Sequence, residues 1–205
     1  MNTLPKFAPA LLGLSSIPAL ALASCATAET GESSRTAGLT ITQMGEFEKP
    51  WAIEFIPQPG ILAVTEKEGA LKLLDSKTGA VWDVDGVPEV AFGGQGGFGD
   101  VAFLKSEAGG ELSGRTIYLS WAEMGEDGKS RGAVVGKGTL ACPTIETCAI
   151  EGLKIIWRQT PKVEGRGHYS HRITFSPDES HMYIASGDRQ KMSPAQDKTN
   201  TLGSI

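Results

Sequence analysis

The sequence predicts an all-β fold, and among all-β folds a β-propeller. Three observations carry that prediction. Glycine is abundant, 26 of 205 residues, and is spread through the chain, as expected where many short strands are joined by tight turns. Apolar residues alternate in short runs broken by Gly, Pro, Asp or Asn, with no sustained helical period. A "hydrophobic-x-Phe" strand, a turn and a second strand recur three times, which is how propeller blades begin.

The N-terminus precedes any fold. Residues 1–25, "MNTLPKFAPALLGLSSIPALALASC", place one positive charge, Lys6, before an apolar run interrupted by prolines. This is the pattern of a secretory signal and not of a membrane span. The run ends in "LASC", which resembles a bacterial lipobox with Cys25 as the lipid-modified residue; cleavage after "ATA" at Ala28 is the alternative. Residues 26–38 are small and polar, the composition of a flexible tether. The expected location is the periplasm or outer cell envelope, with membrane contact only through the lipid at Cys25.

Ordered structure is expected from about Leu39. Ile61 to Thr65 reads as one strand, Gly69 as a turn, Ala70 to Leu74 as the next strand, and "DSKTG" as another turn. The repeats align Ile53 with Ile173, Phe55 with Phe175 and Pro57 with Pro177, while Val101 and Phe103 open the third copy, followed by Ile117 to Trp121. About three blades fit between residues 39 and 205. Three blades cannot close a ring without leaving strand edges unpaired, so the sequence predicts the front part of a longer protein. Cys142 and Cys148, six apart, suit a local disulfide in an exported protein. The pI of about 5.3 and the lack of a Lys/Arg cluster argue against nucleic acid.

All three histidines, His168, His171 and His181, fall in "EGRGHYSHRITFSPDESHMYIASGDR". A metal shared by His168 and His171 would require the loop to bend, because i and i+3 on a strand face opposite sides. Further ligands would have to come from Asp178 or Asp188. A general base at His168 is better motivated. Gly165 and Gly167 let backbone approach a ligand there, and an imidazole titrates near neutral pH; the competing reading is a solvated loop histidine. His181 reads as surface. In "FGGQGGFGD", residues 92–100, no GK[ST] ending follows, so the stretch reads as a tight turn presenting Gln95, or simply as a bend between strands. "SGDRQ" sets Asp188, Arg189 and Gln190 just after a strand, where propellers often line a binding face; Asp188 also suits a turn cap.

Taken in order, "KPWAIEFIP", "LAVTEKEGALKLLD", "GQGGFGDVAF", "IYLSWAE", "GHYSHRITFSPD", "YIASGDR" and "AQD" resemble the pyrroloquinoline-quinone (PQQ)-dependent sugar dehydrogenases. That family includes aldose sugar, soluble glucose and sorbosone dehydrogenases, and the resemblance runs from about residue 45 to the end. It implies a six-bladed propeller binding PQQ and calcium, and oxidation of an aldose at its anomeric carbon by hydride transfer to the quinone, whose own electron acceptor is not identified. It implies His168 as the base, in a His-x-x-x-Arg pattern ending at Arg172, with Gln95 as a sugar contact and Arg189 near the site entrance. The residues that hold PQQ and calcium in the family are expected beyond Ile205, with no metal ligand in this chain. Two departures stand out. "HYSHR" replaces patterns such as "HFGGR", putting His171 where a small residue is usual, and Gly167 stands where the soluble glucose enzyme has an acidic residue. A non-catalytic propeller binding carbohydrate or protein is the rival reading.

Overall fold

The computed structural model describes residues 34–36, 38–56 and 60–205, and antiparallel strands account for nearly all of its regular structure. The signal, Cys25, most of the tether and Pro57 lie outside the described residues. The chain divides into two units after Thr42. In the first, β1 (Ser34–Thr36) pairs with β2 (Leu39–Ile41) around Gly38, whose φ of 83° suits the turn. Strand pairing therefore begins inside the stretch whose composition suggests a tether.

In the second unit, β3 (Pro50–Phe55), β4 (Ile61–Glu66), β5 (Ala70–Asp75) and β6 (Val81–Asp83) form one four-stranded meander. A second consists of β7 (Phe98–Phe103), β8 (Arg115–Met124), β9 (Arg131–Ala141) and β10 (Ala149–Arg158). A third sheet has only β11 (Ser170–Phe175) and β12 (Met182–Ser186). The three sequence repeats thus open the three sheets, but the expected three blades are two complete ones and the first pair of another. The turns follow local chemistry. Between β5 and β6, Asp75 Oδ1 accepts from Lys77 N at 2.7 Å, and Gly79 takes a φ of 76°. The disulfide Cys142–Cys148 ties β9 to β10 around a 3₁₀ turn.

The middle sheet is buried on both faces. Phe103, Ile117, Leu119, Trp121 and Val134 pack toward Ile56, Ile61, Leu71 and Leu73 of the first sheet. Ala102, Tyr118 and Val135 pack toward Ile173, Phe175 and Ile184 of the third, with Tyr118 and Phe175 edge to face at 4.9 Å. This is why β7 is buried at every position, whereas β3 leaves Trp51, Ile53 and Phe55 exposed.

A bulge near the start of each first strand breaks its register: between Pro50 and Ala52, between Phe98 and Val101, and between Ser170 and Ile173. In the first two sheets a hydroxyl on the neighbouring strand fills the gap. Thr65 Oγ1 accepts from Ala52 N at 3.0 Å and donates to Gly99 O of the next sheet at 2.7 Å. Ser120 Oγ accepts from Asp100 N at 2.8 Å and donates to His171 O of the third sheet at 2.7 Å. Each hydroxyl thus joins two sheets through groups that would otherwise be buried without partners.

Ser120→Ala should therefore destabilise the protein by about 1–3 kcal/mol, measured by urea unfolding. A loss within error of zero would mean that the bulge groups find other partners.

Candidate active site

The glycine-rich stretch 92–100 closes as a tight turn in which Gly93 and Gly96 exchange backbone hydrogen bonds at 3.1 and 2.9 Å. Gln95 at its tip holds the histidine loop twice: its N–H donates to Arg166 O at 2.7 Å, and its Oε1 accepts from His168 N at 2.7 Å. With Oε1 engaged, the amide NH2 remains as a donor. The glycines are required by the contact itself. A Cβ at Gly94 would lie 2.6 Å from Arg166 O, one at Gly96 2.7 Å from the Tyr169 ring, and one at Gly99 2.5 Å from His171 Cγ.

His168 sits at φ 47°, in the left-handed region, as do Ser170, His171, Arg189, Gln190 and Met192. These two short segments hold most of the non-glycine left-handed residues among those described. Such conformations cost about 1–2 kcal/mol each and gather where function demands them. They bring His168 Nδ1 to 2.7 Å from Asp188 Oδ1. Asp188 also accepts from Gln190 N at 3.0 Å and Met192 N at 3.2 Å. The bond with His168, then those backbone N–H groups, holds its carboxyl below the ordinary range, so it is ionised at neutral pH. A carboxylate on Nδ1 fixes the tautomer with its proton there and leaves Nε2 as the acceptor. His168 is half-exposed on a cavity of about 870 Å³, whose wall also includes Trp51, Gln95, Ser170, Ala185, Asp188 and Ser204.

The other candidates go elsewhere. His171 is buried, with its ring stacked on Tyr169 at 5.2 Å and, among the described residues, neither ring nitrogen partnered. It does not share a ligand site with His168, and among the described residues no three metal-binding side chains converge. His181 is exposed and bonds Ser180 at 2.8 Å. Arg172 reaches Asp100 Oδ1 at 3.3 Å, and burial raises the Asp100 carboxyl.

Arg189 is the correction. Expected at the site entrance as a sugar contact, it is 0% exposed and its guanidinium points inward to backbone carbonyls. Following a strand end in sequence does not fix which way a side chain points when its backbone is left-handed. Local pattern also does not reveal Gln159, buried beneath the site and donating to Ser186 Oγ and Gly187 O, both at 2.8 Å. Trp51 on the cavity wall looks like an ordinary strand residue; only its exposure marks it.

Burial, then the charges of Arg189 and Lys67, push His171 down to about 3. Asp100 and Arg172 flank the same small cavity. The sign follows directly. Below the ordinary histidine range the unfolded chain takes up a proton that folded His171 refuses, so stability falls with pH and levels off near 3. The slope approaches about 1.4 kcal/mol per pH unit. In urea unfolding between pH 6 and 4, His171→Phe should flatten the stability profile by that amount; parallel profiles for the two proteins would place the acid sensitivity elsewhere.

Comparison with known proteins shows the family. Residues 47–205 match the family model "Glucose / Sorbosone dehydrogenase". The aldose sugar dehydrogenase YliI of Escherichia coli K12 is 30% identical over 160 residues, 78% of this chain and 41% of that protein. A crystal structure of a glucose dehydrogenase is 32% identical with a TM-score of 0.67, covering 76% of this chain and 43% of that one. The PQQ-bound aldose sugar dehydrogenase of Streptomyces coelicolor shares the fold at 24% identity and a TM-score of 0.59, over 77% of this chain and 43% of that one. The chain spans about two fifths of the length of the curated relative it matches. On that family match and the repeated blades, the chain belongs to the glucose/sorbosone dehydrogenase family of β-propeller sugar dehydrogenases.

Proposed function

We propose that this chain forms part of an exported, PQQ-dependent dehydrogenase that oxidises an aldose at its anomeric carbon. The observation that carries the proposal is the His168–Asp188 hydrogen bond of 2.7 Å on the wall of the large cavity, with Gln95 clamping the same loop.

The residues present fit one side of a flat, anionic quinone. Trp51 offers an aromatic wall, and the Lys67 ammonium, hydrogen-bonded to Gly94 O, sets a positive charge 4.8 Å from its indole centroid. Bound PQQ would supply the two-electron acceptor; calcium enters none of the steps assigned to this chain. His168 accepts the proton of the anomeric hydroxyl at Nε2 as the anomeric hydrogen departs as hydride, leaving the lactone. Asp188 holds the imidazole in the reactive tautomer and stabilises the imidazolium that forms, as carboxylates do beside catalytic histidines. Gln95, its carbonyl committed to His168 N, donates its NH2 to a sugar oxygen and so orients the anomeric centre. The lipid at Cys25 would keep the enzyme at the envelope.

In the full-length protein, His168→Ala should abolish dye-linked aldose oxidation while PQQ stays bound by its absorbance. Asp188→Asn should lower kcat about 100-fold or more. Turnover near wild type in the His168 variant would sink the assignment and favour a binding propeller.

A further inference from the structure

Among the described residues, the side-chain partners of the buried cation Arg189 are carbonyls and an aromatic ring rather than a carboxylate. Its Nε donates to Gly167 O at 2.9 Å, one Nη to Gly165 O at 2.6 Å and the other to Arg131 O at 2.5 Å. Its backbone N–H donates to His168 O at 3.2 Å. The guanidinium carbon lies 3.6 Å from the centroid of Tyr169, whose ring also stacks with His171. A desolvated charge without a counter-ion is expensive to maintain, and here the expense buys contacts on both sides of one loop.

That loop, residues 165–168, ends at the proposed base. The carbonyls of Gly165 and Gly167 precede His168, Tyr169 follows it, and Asp188 is the residue before Arg189. Gly187 N closes the same junction on Tyr169 O at 3.0 Å. One side chain therefore locks the segment carrying the histidine to the segment carrying its carboxylate. We infer that Arg189 is a positioning residue, holding His168 and Asp188 in register so that Nδ1 keeps its proton toward the carboxylate and Nε2 faces the cavity. The inference rests on the role proposed for His168. The planar fork is essential to it: a guanidinium reaches carbonyls lying in three directions while its face covers a ring, and a lysine ammonium cannot do both.

The test uses the full-length, PQQ-loaded protein as wild type, Arg189→Met and Arg189→Lys. Imidazole ¹⁵N chemical shifts, with His168 assigned by its absence in His168→Gln, report the tautomer without requiring turnover. Wild type should show His168 with its proton on Nδ1. Both variants should show the Nε2–H form or a mixture, with kcat for the aldose down about 100-fold, as a misplacement near 1 Å would give, and PQQ absorbance retained. Arg189→Lys keeps the charge, so it serves where the Met variant does not fold. A lowered melting temperature with tautomer and kcat intact would make Arg189 a fold residue only and overturn the inference. A tautomer locked in wild type and lost in the variants, in a protein that oxidises no aldose, would uphold the positioning role and reject the reaction.

Discussion

The structure turns on the bulge that opens each first strand. A regular antiparallel ladder spends every backbone group on its neighbour and alternates its side chains between two faces. One extra residue frees an N–H and a carbonyl at the end of the strand and redirects the side chains beside them. Those groups are buried, so they must find partners. In the first two sheets the partner is a hydroxyl, Thr65 or Ser120, which also grips the following sheet. Blade packing and bulge satisfaction are thus one interaction. At the matching place opposite the third bulge stands Ala185, which lines the cavity. The repeat that drops the hydroxyl is the one that carries His168.

The electrostatics of the site follow from the same crowding. Asp188 is partly exposed and surrounded by N–H donors, so it remains an anion. Asp100 is buried, and its desolvation is only partly offset by Ile173 N at 2.7 Å and by Arg172. His171 has no partner at either nitrogen and is held neutral by burial. Three titratable groups within a few residues of one another in the fold therefore keep different characters. What separates them is access to donors and to water rather than their position in sequence. The exposed histidine paired with the ionised carboxylate is the one suited to moving a proton.

Much of this was legible in the sequence. Strands β4 and β5 and the Gly69 turn follow from alternation and turn residues, and the three repeats open the three sheets. His168 and Gln95 emerge because glycines surround them and because the motif order matches a family. The remainder was hidden for physical reasons. A strand buried on both faces, as β7 is, loses the alternation that would identify its faces. Arg189 and His171 have left-handed backbones, so the simple rule for which face a residue shows does not apply to them. Gln159 and Tyr169 earn their roles from residues tens of positions away. The third blade's shortfall is a matter of counting strands, which a motif at the start of each repeat does not do.

The two departures from the family pattern make sense as exchanges of volume. His171 occupies a position that is usually small, and its ring fits because residue 99 is glycine; any Cβ there would sit 2.5 Å from Cγ of the imidazole. Gly167 is the second departure, and the space a Cβ would take is filled by the Gln190 amide, 2.4 Å away. Gln190 is exposed and flexible enough to swing aside, whereas His171 is held by stacking and burial and cannot. The first exchange is therefore structural: it fixes Tyr169, and through it the guanidinium beneath the loop. The second is a matter of surface chemistry, setting a neutral amide beside His168. That amide brings no second negative charge, so Asp188 is the carboxylate that His168 meets.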